Sequence, residues 1–199
     1  MRLPDDIRNL PHRRRLHRDR LLKTACHEAA HTIYAVRTGV DFLGVRIGSE
    51  TVDSRTLHSD ITRFGAVEAA GRFSPNPDFQ YYRSDIYPTG HGWEDAAKLS
   101  LAGHVFEGIV DPHHNGFYLM LMGSMSDYQQ AIETTKWGLY VEDQTTKDYG
   151  RLIDDTIEQE LMPPVRKLLI ENWTSIIRIG ELLKERKMLT PAEVREAIA

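Results

Sequence analysis

The sequence predicts a mainly α-helical fold with a small β-sheet, an α+β domain. Apolar residues recur at steps of three and four over several long stretches, which is the helical period. Only two short segments, both early, read as strands, and Pro- and Gly-rich stretches separate the helical runs. With 199 residues the chain can bury a core without staples. Its 41% hydrophobic and 27% charged residues exclude wholesale disorder.

Residues 1–19 are set apart as a basic N-terminal arm. Seven arginines against three aspartates give residues 1–20 a charge of +4, which leaves −8 on the rest of a chain whose total is −4. The arm reads as a solvated tail or a lead-in helix, with an acidic partner or an anionic surface as the functional alternative. The small total charge gives no support to nucleic acid as a partner.

Residues 20–199 form the domain. From Arg20 to Val40 the residues Leu22, Cys26, Ala29, Ile33 and Val36 draw one apolar stripe, with Asp19 as N-cap and Gly39 as the stop. Phe42 to Ile47 alternates loosely and ends at Gly48, so it reads as a strand, and Phe64 to Phe73 reads as another, shorter strand. Residues 74–93 are loop-like, a length that in a compact domain signals function or disorder. Glu94 to Val110 is helical, with Ala97, Leu101, Val105 and Ile109 on one face. A second loop spans 111–123, and Ser124 opens a helix to about Tyr140. Lys147 to Arg186 is helical with a break or kink at Pro163-Pro164. Thr190, Pro191 and Glu193 spell a capping box for a last short helix.

The chemistry lies on the first long helix, in His27-Glu28-Ala29-Ala30-His31. Residues four apart return to nearly the same helix face, so the two imidazoles can share one Zn²⁺ at about 2.0–2.1 Å. Glu28 projects about 100° away, where it can act as general base on a water without ligating. Zinc lowers the pKa of such a water to ~7 and polarises a carbonyl. The plain alternative is a solvated helix face with two incidental histidines. Zinc also needs a third protein ligand and an open fourth position. His104, Glu107, His113, His114 and Asp127 are candidates, and spacing alone does not choose among them. The single cysteine, Cys26, lies on the apolar stripe and is expected to be a buried core thiol. It forbids an intrachain disulfide and agrees with a reducing compartment. His113 and His114 are expected to be exposed, and Tyr81, Tyr82, Tyr87 and Trp93 to pack within their loop.

The run Thr24-Ala25-Cys26-His27-Glu28-Ala29-Ala30-His31 resembles the HEAGH helix in the peptidase domain of the FtsH-type ATP-dependent zinc metalloproteases. Leu101-Ala102-Gly103-His104-Val105-Phe106-Glu107 is similar to that family's LAGRxAE helix, and Gly123-Ser124-Met125-Ser126-Asp127-Tyr128 to its GASNDL run. Leu168 to Trp173, Leu182 to Glu185 and Leu189 to Val194 follow its closing helices, so the resemblance covers about residues 20–199. It implies that Asp127 is the third zinc ligand. Glu107 reads, apart from the resemblance, either as a carboxylate that orients a ligating histidine or equally as an exposed helix residue. Ala30 stands where the family has Gly, and His104 where it has Arg. The loops at 74–93 and 111–123 match poorly, so substrate specificity does not carry over.

The chain contains no G-x-x-x-x-G-K-[ST] run and no apolar stretch of membrane length. The expectation is therefore a cytoplasmic, stand-alone zinc endopeptidase. It would hold one Zn²⁺ per chain and cut unfolded or flexible polypeptides without its own ATPase. No nucleotide and no membrane span are expected. A homo-oligomer and a separate unfoldase are the open partners. The competing expectation is a catalytically inactive relative that serves as a binding or regulatory module. The intact Glu28 favours the enzyme.

Overall fold

A computed structural model describes residues 5–40, 42–47, 65–69, 93–111, 125–139 and 149–199. The fold is mainly helical, with one small antiparallel sheet. Two single-turn helices, α1 (Asp5–Arg8) and α2 (Arg13–Leu16), precede the long α3 (Arg20–Thr38). The ends of α3 are those the sequence marks. The Asp19 carboxylate accepts the Leu22 N–H at 3.0 Å, and Gly39 stops the helix at φ 76°, where a side chain would be strained. Its stripe residues Leu22, Cys26, Ala29 and Ile33 are fully buried.

Strand β1 (Phe42–Ile47) is central in a three-stranded sheet of order β2-β1-β3. It pairs antiparallel with β2 (Gly65–Ala69), Val45 facing Val67, and with the two-residue β3 (Met188–Leu189), Val45 facing Leu189. Of the strand predicted over 64–73, Gly65–Ala69 is present as β2, and the other positions lie outside the described residues. The sequence reading lacks β3, which is too short to show an alternating pattern. Residues 74–92 and 112–123, with Tyr81, Tyr82, Tyr87, His113 and His114, lie outside the described residues.

Helix α4 (Trp93–Val110) packs against α3 and against α5 (Met125–Gly138). Next come α6 (Tyr149–Asp155), a π-helical turn (Thr156–Leu161), α7 (Met162–Glu171), α8 (Trp173–Arg186) and α9 (Pro191–Ile198). The chain does not break at Pro163-Pro164. The helix runs through, and the irregularity falls one turn earlier, where the Met162 N–H bonds back five residues to Ile157. The prolines lack the N–H groups an α-helix would use there, and the wider π turn absorbs the mismatch. The real division comes at Asn172, between α7 and α8. Thr190 and Glu193 form the predicted capping box of α9.

The core is a single cluster around α3, α4, α7 and α8, with Phe106 stacked on Trp173 at 5.4 Å. Helix α8 crosses α3 closely. A Cβ at Gly180 would stand 2.3 Å from the Cys26 sulfur. Burial pushes the Cys26 thiol up to about 12, so it is a packing group and not a thiolate. The described part of the N-terminal segment is docked on this core. Ile7 and Leu16 are buried, the Trp173 indole N–H donates to the Pro11 carbonyl at 2.8 Å, and Arg13 donates to the Ile109 carbonyl at 3.0 Å. Among the described residues no helix is long and apolar enough to cross a membrane.

Candidate metal centre

Three helices converge on one point. Helix α3 supplies His27 and His31 from successive turns, and α5 supplies Asp127 from its first turn. The His27 Nε2 lies 2.9 Å from Asp127 Oδ2, the His31 Nε2 lies 3.3 Å from the same oxygen, and the two Nε2 atoms are 3.3 Å apart. Helix α4 holds the far side of each ring. Glu107 Oε1 is 3.1 Å from His27 Nδ1, and the Leu99 carbonyl is 2.7 Å from His31 Nδ1.

These outer contacts fix the state of the rings. A carbonyl oxygen can only accept, so His31 must carry its hydrogen on Nδ1 and turn the Nε2 lone pair inward. The Glu107 carboxylate does the same for His27. In the neutral rings, then, two nitrogen lone pairs and a carboxylate oxygen meet within hydrogen-bond distance with no hydrogen between them. Such a group needs a cation at its centre or protons on the rings. The electrostatics agree. Burial opposes protonation of His27, but Asp127 and Glu107 outweigh it and hold its pKa well above the usual value. Burial likewise opposes protonation of His31, and Asp127 overrides it. Burial pushes the Asp127 carboxyl up, and the two imidazoles bring it below the ordinary carboxylate range.

The geometry suits a metal ion. Tetrahedral ligands at about 2.0–2.1 Å from a zinc ion stand roughly 3.3–3.4 Å apart, close to the separations found here. Gly103 makes the room. A Cβ built on it would fall 2.3 Å from His27 Nε2 and 2.4 Å from His31 Nε2. The bare backbone of α4 is what leaves space beside the donor atoms. His27, His31 and Asp127 therefore form a group that can hold a metal ion.

Glu28 sits beside this group, 7% exposed, and its charge acts on both imidazoles. Glu107 is 8% exposed, and its second oxygen has no hydrogen-bond partner among the described residues. A carboxylate kept under such conditions is costly, which suits a residue retained to orient His27. His104, a candidate ligand by residue type, is not in the triad. Its ring packs on Tyr128 with centroids 4.8 Å apart.

Two contributors are absent from the sequence reading. The Leu99 carbonyl is a backbone group and leaves no trace in residue identity. Gly103 does leave one, because glycine inside a helix costs about 1 kcal/mol relative to alanine and is kept for a close approach. No family model and no curated protein matches the chain.

Proposed function

We propose that this chain is a zinc-dependent endopeptidase that hydrolyses unfolded or flexible polypeptides without nucleotide. The observation that carries the proposal is the arrangement of His27, His31 and Asp127, with each imidazole locked from behind and Glu28 buried alongside. Two imidazoles and one carboxylate are a normal set for a catalytic zinc that keeps a fourth position open. The resemblance of His27 to His31, Leu101 to Glu107 and Gly123 to Tyr128 to FtsH-type peptidases points the same way.

In this reading zinc supplies a Lewis acid that polarises the scissile carbonyl and lowers the pKa of water to ~7. The protein residues do the rest. Glu28 takes a proton from the attacking water as its oxygen bonds to the carbonyl carbon. Glu28 then returns that proton to the amide nitrogen as the C–N bond breaks, so the free amine leaves neutral. Glu107 and the Leu99 carbonyl hold the imidazoles in the ligating tautomer throughout.

Digestion of labelled casein tests this. The purified chain should cleave it, lose activity with a chelator and regain it on added Zn²⁺, with ATP making no difference. A chain that binds zinc and leaves casein intact would instead be a binding module.

A further inference from the structure

Glu107, which holds the His27 ring from behind, stands in the last turn of α4. The Asp111 N–H closes that turn on the Glu107 carbonyl at 2.8 Å. The carbonyls at the end of a helix have no partners within it, and such an end frays unless something else holds it. Here the N-terminal segment does so. The Arg13 Nε donates to the Ile109 carbonyl at 3.0 Å, and the His17 Nε2 stands 3.7 Å from Asp111 Oδ1. The segment reaches the same turn by a second route. Its Pro11 carbonyl accepts the Trp173 indole N–H at 2.8 Å, and the Trp173 ring stacks on Phe106, the neighbour of Glu107, at 5.4 Å. Ile7 and Leu16 seat the segment in the core. Glu107 has little else to fix it. Its second oxygen has no hydrogen-bond partner among the described residues, so its aim at His27 Nδ1 depends on the turn that carries it.

We infer that residues 7–17 are a positioning strap for the metal group. Docked on the end of α4, the strap keeps Glu107 aimed at His27 and so tightens metal binding. Coupling between two binding events is reciprocal, so a bound metal tightens the docking of the strap by the same factor. Arg13 is a positioning residue in this scheme, because it acts on the metal through the turn that bears Glu107. The role rests on the reading of His27, His31 and Asp127 as a metal group, and it holds whatever reaction that metal serves.

Two measurements on the full chain test the coupling, and neither depends on catalysis. The first is a double-mutant cycle read as Zn²⁺ affinity. Arg13→Gln should weaken zinc binding by about 5–10-fold. Arg14→Gln removes the same charge from the exposed neighbouring position and should leave the affinity at the parental value. In a Glu107→Gln background, Arg13→Gln should cost no more than about a further twofold, because the residue it acts through is already gone. The second is limited trypsin digestion, with cleavage after Arg14, Arg15 and Arg18 followed by mass spectrometry. Trypsin reaches those bonds when the strap lifts. Saturating Zn²⁺ should slow their cleavage in the parent by about the same 5–10-fold, and this protection should shrink to under about twofold in Glu107→Gln at saturating Zn²⁺. Three results would overturn the strap. One is a folded Arg13→Gln chain with the parental zinc affinity. Another is an equal loss from Arg13→Gln with and without Glu107. The third is zinc protection of the strap that is absent from the parent or unchanged in Glu107→Gln. A parent that takes up no zinc overturns the metal group itself, whereas a zinc-binding parent with any of the three removes only the strap.

Discussion

Replacing Gly103 by alanine places one methyl group where the metal donors meet. The new Cβ would lie 2.3 Å from His27 Nε2, 2.4 Å from His31 Nε2 and 2.5 Å from His27 Cε1. An ordinary contact between such atoms is about 3.5 Å, so the overlap is about 1 Å against both rings. The rings cannot swing aside cheaply. Turning His27 breaks its 3.1 Å bond to Glu107, and turning His31 breaks its 2.7 Å bond to the Leu99 carbonyl. Two effects on the fold oppose each other. Alanine gains about 1 kcal/mol over glycine inside a helix, and overpacking costs typically about 1–3 kcal/mol. The net change in stability is therefore small, about 0–2 kcal/mol. Metal binding has no compensating gain and should fall by about 10–100-fold, as when groups supporting a metal site are removed. Gly108→Ala on the same helix is the control, because a Cβ there meets nothing within 4 Å. It should raise the melting temperature by about 2–4 °C and leave zinc affinity alone. Competition titration with a chromogenic chelator and thermal melts read both quantities. A Gly103→Ala chain that binds zinc as tightly as the parent would refute the placement of the metal.

The remaining predictions concern the ligand set and the scaffold. Asp127→Asn should lose zinc and activity outright, while Glu107→Gln should weaken zinc affinity about 10–100-fold; the reverse order in a zinc titration would mean that the wrong carboxylate has been assigned. Leu16→Ala should destabilise the chain by about 2–5 kcal/mol in urea, because this side chain of the N-terminal segment is fully buried; a change under 0.5 kcal/mol would mean that the segment is detachable. Asp19→Ala removes both the cap on Leu22 and the ion pair with Lys184, and should cost about 0.5–2 kcal/mol at neutral pH. The Lys184 ammonium and the Leu22 N–H hold the Asp19 carboxyl below its usual pKa, so its charge-dependent share of that stability is full above the unfolded value of about 3.9 and is lost as pH falls through the folded one. Urea melts of parent and variant should accordingly converge below about pH 4, and a gap that stays constant into acid would contradict the assignment.

The parts of this molecule that are local in cause were legible in the sequence. Helix α3 is the clearest case, since Asp19, the stripe from Leu22 to Ile33 and Gly39 are start, buried face and stop in turn. The pairing of His27 with His31 follows from the pitch of the helix alone. Asp127 does not. It reaches His31 across 96 residues, through the packing of α5 on α4, and spacing left it one of five candidates until the family resemblance singled it out. The docking of the N-terminal segment was hidden by composition, because its arginines mask the few apolar residues, Ile7, Leu10 and Leu16, that anchor it. At Pro163-Pro164 the residue type correctly announced a disturbance. Its form, a π turn upstream and not a break, depended on how the helix could shift its hydrogen bonds.

The central claim is that Glu28 moves the proton in a hydrolysis performed beside a metal held by His27, His31 and Asp127. The most direct measurement compares the parent with Glu28→Gln, both assayed for bound zinc by elemental analysis and for digestion of labelled casein. The amide keeps the size of the side chain and cannot accept a proton from water. The account predicts about one zinc per chain in both proteins, with cleavage by the parent and none by the variant. Digestion by Glu28→Gln at near the parental rate, or a zinc-loaded parent that cuts nothing, would contradict it.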